Sequence, residues 1–422
     1  MPVKEYFLFS NGKYLCRKKC TIKSAPRNTL IMHFPHTRLT IIALLALLFL
    51  SSCPAVGPRG GVDLLTLRDD LDRESIRRAV HNSLRYLDTI PSDRTVGEWP
   101  RKFTAKEVKE SLNEFMELLD SLDQQESLMA AIRSQFDMVE SVNHAGDEVL
   151  FTGYYQPVIE GSLEESPVFR YPIYGRPADL LDANVGQFGP EFQREKIVGR
   201  VEGKRFVPYF SRHEIDGLGR LKGKGFEIAW AKDPVDLFFL HIQGSGLLRL
   251  QDGRLLQLNY AASNGRPYTS IGKVLLDRKR MREEETSMQS LRRYLRDHPE
   301  ERNQIFVENK RYIFFRVLEE GPIGNLGVPL TAGRSIATDK RLFPKGALAF
   351  IVTKRPILDP SGKLIGWEPF SRFVLNQDTG SAIRGRQRVD LFFGTGPEAA
   401  AGAGHMKSTG KLFFLMKKEM RN

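Results

Sequence analysis

Three aspartates in the C-terminal region, Asp339, Asp378 and Asp390, are the side chains best placed by type and context to do chemistry. Asp378 follows Phe373–Gln377 and opens the turn-rich stretch Asp378-Thr-Gly-Ser-Ala-Ile-Arg-Gly385. Asp390 sits inside Val389-Asp390-Leu391-Phe392-Phe393, which reads as an apolar strand. Desolvation there penalises the charged carboxylate and keeps the proton on it to higher pH. A general acid for a glycosidic oxygen needs that property. Taken singly, each aspartate also fits the commoner role of a structural carboxylate accepting backbone amides in a tight turn.

Other familiar chemistries lack their residues. There is no His-Glu-x-x-His, no phosphate-binding loop and no Gly-x-Ser-x-Gly elbow, and the eight histidines are scattered. Only three cysteines exist, Cys16, Cys20 and Cys53, and no second ligand pair gives the first two the spacing of a zinc site. No metal is expected.

The elements that must position the aspartates fall in the order helix, β, helix, β. Ile76, Val80, Leu84 and Leu87 form one helical stripe. Thr104-Ala-Lys-Glu107 reads as a capping box, and Val108, Leu112, Phe115, Leu119 and Leu122 line the helix after it. From about Val149 short strands alternate with Gly/Pro turns: Val168–Tyr174, Phe226–Trp230, Leu237–Ile242 and Leu247–Leu250. Trp230, in an alternating strand, is expected in the core. Helical pattern returns over Ser287–His298. Strands are then expected at Tyr312–Val317, Leu348–Val352, Phe373–Leu375, Val389–Phe393 and Leu412–Leu415. The order suggests one β domain inserted into another.

The N-terminal region carries an address. Leu39–Leu50 is an apolar run of about a dozen residues, short for a membrane span but suited to a signal-peptide core, with Arg38 as its positive flank. It ends in Leu50-Ser51-Ser52-Cys53, which resembles the bacterial lipoprotein box, where cleavage precedes a lipidated cysteine. Residues 1–52 therefore read as leader and signal peptide, with Met32 as an alternative start, and residues 53–62 as a lipidated tether. Losing Cys16 and Cys20 with the leader and acylating Cys53 would leave no disulfide.

The same division explains the charge. The chain has a formal net charge of +12, but residues 1–31 contribute +6 and Arg38 +1, which leaves +5 from residue 53 onward. That is an ordinary soluble surface. No nucleic-acid recognition motif accompanies it, and no nucleic-acid partner is expected.

Over roughly residues 98–416 the chain resembles the membrane-bound lytic murein transglycosylase A family. The matching stretches are Phe151-Thr-Gly-Tyr-Tyr-Gln-Pro157, Phe169-Arg-Tyr-Pro-Ile-Tyr174, Asp233-Pro-Val-Asp236 and Phe239-Leu-His-Ile-Gln-Gly-Ser-Gly246. Asn264-Gly-Arg-Pro-Tyr-Thr-Ser-Ile-Gly272, Gly327-Val-Pro-Leu-Thr331, Asp378-Thr-Gly-Ser-Ala-Ile383 and Val389-Asp-Leu-Phe-Phe-Gly-Thr-Gly396 complete them. The resemblance implies a mainly β (α+β) fold: a double-psi β-barrel of the three-aspartate type with packing helices, interrupted by a second small β-barrel. It places the insert at residues 157–260 and the catalytic barrel at 63–156 and 261–416.

It further implies a peptidoglycan glycan-strand substrate, no cofactor, Asp390 as the catalytic acid, Asp378 as its neighbour in the site and Asp339 as a structural aspartate. Thr152, Tyr154, Tyr155, Gln243, Ser245, Asn264, Tyr268 and Thr269 become candidates for sugar contact. The expected location is the cell envelope, through a lipid anchor on Cys53, with the outer membrane favoured by Pro54. Cell-wall synthesis or division proteins as partners stay open. Two departures from the family pattern stand out: Ser381 replaces a usual second glycine, and Gln156 replaces the more usual acid or threonine before Pro157. A hydrolase using Asp378 and Asp390 as a pair, and a non-catalytic glycan-binding lipoprotein, remain as alternatives.

Overall fold

The computed structural model describes residues 68–142, 147–189, 192, 196–283, 286–380 and 382–419. The leader, the tether with Cys53, and Ser381 lie outside the described residues.

Asp72 caps helix α1 (Arg73–Asp88) by accepting from the Ser75 amide, and Ile76, Val80 and Leu87 of its stripe are buried. A short hairpin, β1 (Thr95–Gly97) and β2 (Phe103–Thr104), leads into α2 (Ala105–Ser121). The Thr104/Glu107 capping box starts that helix as the sequence predicts. Helix α3 (Gln125–Gln135), strand β3 (Phe136–Glu140) and strand β4 (Val149–Gln156) follow.

Pro157 alone separates β4 from β5 (Val158–Ser162), which belongs to a different sheet. Next come β6 (Tyr171–Tyr174) and a separate three-stranded meander of β7 (Leu181–Asn184), β8 (Lys196–Glu202) and β9 (Arg205–Pro208). Then β10 (Glu227–Ala231), helix α4 (Pro234–Gln243), β11 (Ser245–Arg249) and β12 (Leu255–Ser263) appear. Helices α5 (Ile271–Asp277), α6 (Met288–Asp297) and α7 (Pro299–Phe306) precede β13 (Ile313–Leu318).

This second sheet runs β13-β12-β11-β5-β10-β6, and a bridge between Gly175 and Phe315 brings its two edges together. Ile159, Ile173, Leu240, Leu248, Leu258 and Phe315 fill it. Strand β13, expected with the catalytic barrel, instead pairs with β12, so the second barrel runs past residue 260. Hydrogen-bond pairing decides this, and the helices between β12 and β13 had masked it in the sequence.

The chain returns through residues 319–334 to β14 (Ser335–Ala337), β15 (Leu348–Leu358), β16 (Leu364–Asp378), β17 (Arg388–Thr395), helix α8 (Pro397–His405) and β18 (Lys407–Lys417). With β4 these strands close a six-stranded barrel in the order β15-β16-β14-β17-β4-β18, β18 pairing back onto β15. Two pairings, β14 with β16 and β17 with β4, are parallel among antiparallel ones, as a double-psi barrel requires. Phe151, Ile336, Phe350, Val374, Leu391 and Phe414 are among its buried side chains.

Two further expectations change. Leu237–Ile242, read as a strand, lies in α4. Asp233 caps that helix through the Val235 amide, Pro234 occupies its first turn and Gly244 ends it at φ +81. Trp230 is only half-buried, because Ala229 and Ala231 are the β10 residues that face the core.

Candidate active site

Strand alternation aims the acid. Along β17, Val389 and Leu391 turn into the barrel core while Arg388 and Asp390 take the opposite face. On β4, Val149 and Phe151 are buried and Thr152 faces with Asp390, its parallel partner in register. Ala337 of β14 pairs with Asp390 on the other side, and Asp378 of β16 pairs with Ala337. Lys407 of β18 pairs with Thr152. One cross-strand row therefore reads Lys407, Thr152, Asp390, Ala337, Asp378. Gly153 lets α8 lie on β4 beside this row, since a Cβ there would fall 2.7 Å from the Ala403 Cα.

The two carboxyls in the row have different surroundings. The Asp390 side chain is 21% exposed, and its Oδ1 is buried without a hydrogen-bond partner. Its nearest cation is Arg388, with Nη2 3.7 Å from Oδ1. Burial pushes Asp390 up to about 6; Arg388 opposes that rise and the Asp378 charge adds to it. Asp378 is already engaged. Its Oδ1 accepts from the amides of Thr379 at 2.8 Å and Asn325 at 3.0 Å, and its Oδ2 accepts from the Tyr154 hydroxyl at 3.0 Å. Burial raises Asp378 above the usual carboxylate value against those three bonds.

Asp339 lies apart from this pair, fully buried one residue after Thr338. It accepts from Arg341 at Nε, Nη2 and the backbone amide, and from the Gly385 amide at 2.9 Å. Although burial pushes the other way, these bonds together hold its carboxyl down to about 2. It braces the loop between β16 and β17.

The sugar-contact candidates divide. Thr152 stands beside Asp390 with its Oγ1 buried and unpaired. Tyr154 packs its ring 5.2 Å from Phe392 while bonding Asp378. Tyr268 is half-buried, and its phenol feels the charges of Asp390 and Arg388. These three surround the acid.

Tyr155 points the other way. It is buried with Ala399 and Ala403, its hydroxyl accepts from Arg292 at 3.0 Å, and its amide donates to Gln243 Oε1 at 3.1 Å. Gln243 is thus a brace between α4 and β4. Asn264 corrects the expectation most clearly. It is fully buried, its Nδ2 donates to the carbonyls of Phe210 and Lys310, and its Oδ1 accepts from the amides of Tyr312 and Arg266. No capacity is left for a sugar. Ser245 pairs with Asn259 in the second barrel, and the Thr269 amide donates to Asn309. Neither is hydrogen-bonded to Asp390 or Asp378.

Arg388 and Lys407 escaped the sequence reading. The strand period applied to Val389–Phe393 would have found Arg388, two residues before the acid. Gln156, the departure before Pro157, is buried and stitches the barrels together: Nε2 donates to Gln257 on β12 and Oε1 accepts from Thr395 on β17. Among the described residues no cluster of three or more His, Cys, Asp or Glu side chains could hold a metal, and no helix is long and apolar enough to cross a membrane.

Residues 150–316 match the family profile described as the MltA specific insert domain, and residues 334–416 match the 3D domain. A membrane-bound lytic murein transglycosylase A of Vibrio cholerae is 31% identical over 291 residues, covering 68% of this chain and 71% of the relative. The chain belongs to the membrane-bound lytic murein transglycosylase A family. Solved structures agree. A membrane-bound lytic murein transglycosylase from Agrobacterium tumefaciens superposes with TM-score 0.68 at 33% identity, over 82% of this chain and 93% of that one. The Escherichia coli MltA with bound chitohexaose superposes with TM-score 0.63 at 26% identity, over 84% and 93%. The insert profile ends within β13, consistent with the strand pairing that carries the second barrel to that point.

Proposed function

We propose that this family member cleaves the β-1,4 bond between N-acetylmuramic acid and N-acetylglucosamine in peptidoglycan, with Asp390 as the single acid and base. The observation that carries this reading is the contrast within the aspartate row. Asp390 keeps a buried, unbonded oxygen and a raised proton affinity, whereas both Asp378 oxygens are taken. Protonated Asp390 gives its proton to the bridging oxygen as the bond from the muramyl C1 breaks. The C6 hydroxyl of the same sugar then bonds to C1, and its proton returns to Asp390. The product carries a 1,6-anhydromuramyl end. A hydrolase of the two-carboxylate kind needs a second free carboxylate to activate water, and the bonding of Asp378 speaks against that pair. Its role is to hold charge and geometry beside Asp390.

Thr152, Tyr154 and Tyr268 border Asp390 and are the best-supported sugar contacts; the chitohexaose bound by the E. coli relative supports a glycan ligand. The enzyme acts from the cell envelope, lipid-anchored through Cys53 and on the outer membrane facing the periplasm. Mass spectrometry of products from isolated sacculi tests the reaction. Anhydromuramyl ends are expected; reducing ends would make the enzyme a hydrolase, and undigested sacculi a binding protein.

A further inference from the structure

Arg388 is the cation nearest the proposed acid, yet little in the protein holds it. Its side chain is 31% exposed, its Nε is buried without a partner, and its closest charged contact is Asp390 at 3.7 Å, too long for a hydrogen bond. Guanidinium donors left uncommitted and partly exposed suit a planar anion, and a carboxylate fits their fork.

A glycan backbone is neutral, and hydroxyl groups do not need this charge. The muramyl residue differs by its lactyl group, which is a free carboxylate on peptide-free strands. On intact strands that group is an amide, and the carboxylates lie further out on the stem peptide. Arg388 shares a strand face with Asp390, two residues away, so it faces the same sugar region as the acid.

We propose that Arg388 determines substrate specificity by binding a carboxylate carried by the muramyl residue at the cleavage point. The inference rests on the transglycosylase reading above. It also couples binding to chemistry. A bound carboxylate neutralises Arg388 and adds negative charge near Asp390, and both changes strengthen the hold of Asp390 on its proton. The other charged or titratable groups facing Asp390 are Asp378 on β16, Tyr154 on β4, Tyr268 before α5 and, one register step beyond Thr152, Lys407 on β18. Lys407 already lies 3.7 Å from Glu283.

Three substrates separate the possibilities: sacculi with stem peptides, strands denuded by an amidase, and denuded strands whose lactyl carboxylates have been converted to methylamides. If the lactyl group is the partner, wild-type kcat/KM on denuded strands exceeds that on methylamide strands about tenfold. If the stem peptide is the partner, sacculi are preferred by that factor and the two denuded substrates are equal. In either case Arg388→Gln brings the ratio near one and Arg388→Lys restores part of it. The alkaline limb of kcat lies above that of kcat/KM in wild type, and the two converge in Arg388→Gln. Equal rates on all three substrates, or a loss in Arg388→Gln that is uniform across them, overturns the proposal. The parent reading is scored separately, by whether wild-type products carry anhydromuramyl ends on any substrate.

Discussion

Asp378 and Asp390 flank Ala337 in one cross-strand row, one on each side of a short central strand. Their backbones are fixed by the ladders of a closed barrel, so their separation is set without any loop. The charge of Asp378 helps keep the proton on Asp390, and the bonds Asp378 receives from Tyr154, Asn325 and Thr379 hold that charge in place.

Replacing Asp390 with Asn is expected to lower the release of soluble muropeptides from sacculi by about 10²–10⁴, the usual worth of a positioned acid/base. In the proposed mechanism one group serves both proton transfers, which favours the upper end. The far-ultraviolet circular dichroism should not change. Turnover within threefold of wild type would place the acid elsewhere.

Asp378→Asn should cost less, about 10-fold to 100-fold, because the proposed role of this residue is to tune rather than transfer the proton. A dead Asp378→Asn beside an active Asp390→Asn would exchange the two roles. Tyr154→Phe tests the same link: it removes one of the three bonds to Asp378 and is expected to lower kcat more than it raises KM.

Asp390 also makes a pH-dependent contribution to stability. Its folded-state value of about 6 lies above the ordinary carboxylate value. The contribution is therefore present in full at low pH and is lost as the pH rises through about 6. A rise of that size corresponds to at most about 3 kcal/mol. Asp390→Asn should match wild type in Tm near pH 4 and exceed it by several degrees at pH 8. The same titration predicts that wild-type activity falls as the pH climbs past 6. A constant Tm difference across the range would contradict the assignment.

Arg334 supplies a test of the scaffold. It is fully buried and donates to Asp69 at 2.6 Å, to Ser75 Oγ at 2.9 Å, and to the carbonyls of Asp72 and Phe373. It thereby pins the start of α1 to the barrel. Arg334→Met removes the guanidinium bonded to Asp69 and is expected to cost about 3–5 kcal/mol, read as a lower urea midpoint. Asp69→Asn in the same background should recover part of the loss.

Membrane attachment is tested at Cys53. One acyl chain binds membranes only marginally, whereas a multiply acylated cysteine anchors stably. Cys53→Ala is expected to leave the protein unprocessed or to release it into the soluble fraction. A protein expressed from about residue 60 should cleave sacculi without an anchor. A processed Cys53→Ala protein that still sediments with membranes after a high-salt wash would exclude lipid attachment.

Asp390 stood out because an acid inside an apolar strand conflicts with its neighbours, whereas its pairing with Asp378 came only from the family resemblance. The helix start at Thr104 was legible from its capping box, and the helix after Ser287 from its apolar pattern. α4 was misread because a continuous apolar run fits a buried strand and a buried helix equally well. Asp233, Pro234 and Gly244 had marked its ends all the same. Asn264 and Tyr155 were misjudged for another reason: a motif gives a residue's importance but not whether its polar atoms meet a ligand or the protein's own backbone. The far end of the second barrel was not legible, since β13 joins β12 across three intervening helices.

The passage from β4 into the second barrel through the single residue Pro157 has a consequence for how the molecule is made. Thr152 leaves the ribosome before any of the second barrel, and Asp390 after all of it. Strand β4 has no parallel partner until β17 emerges, and the barrel cannot shut until β18 closes onto β15. Such distant pairings form late, after the chain between them has been ordered. A chain interrupted before β17 has Thr152 without its in-register aspartate, and one interrupted before β18 has a barrel still open at β15. The row that carries Asp390 is thus among the last parts of the molecule to be assembled, and the barrel around it is sealed only as the final strand docks.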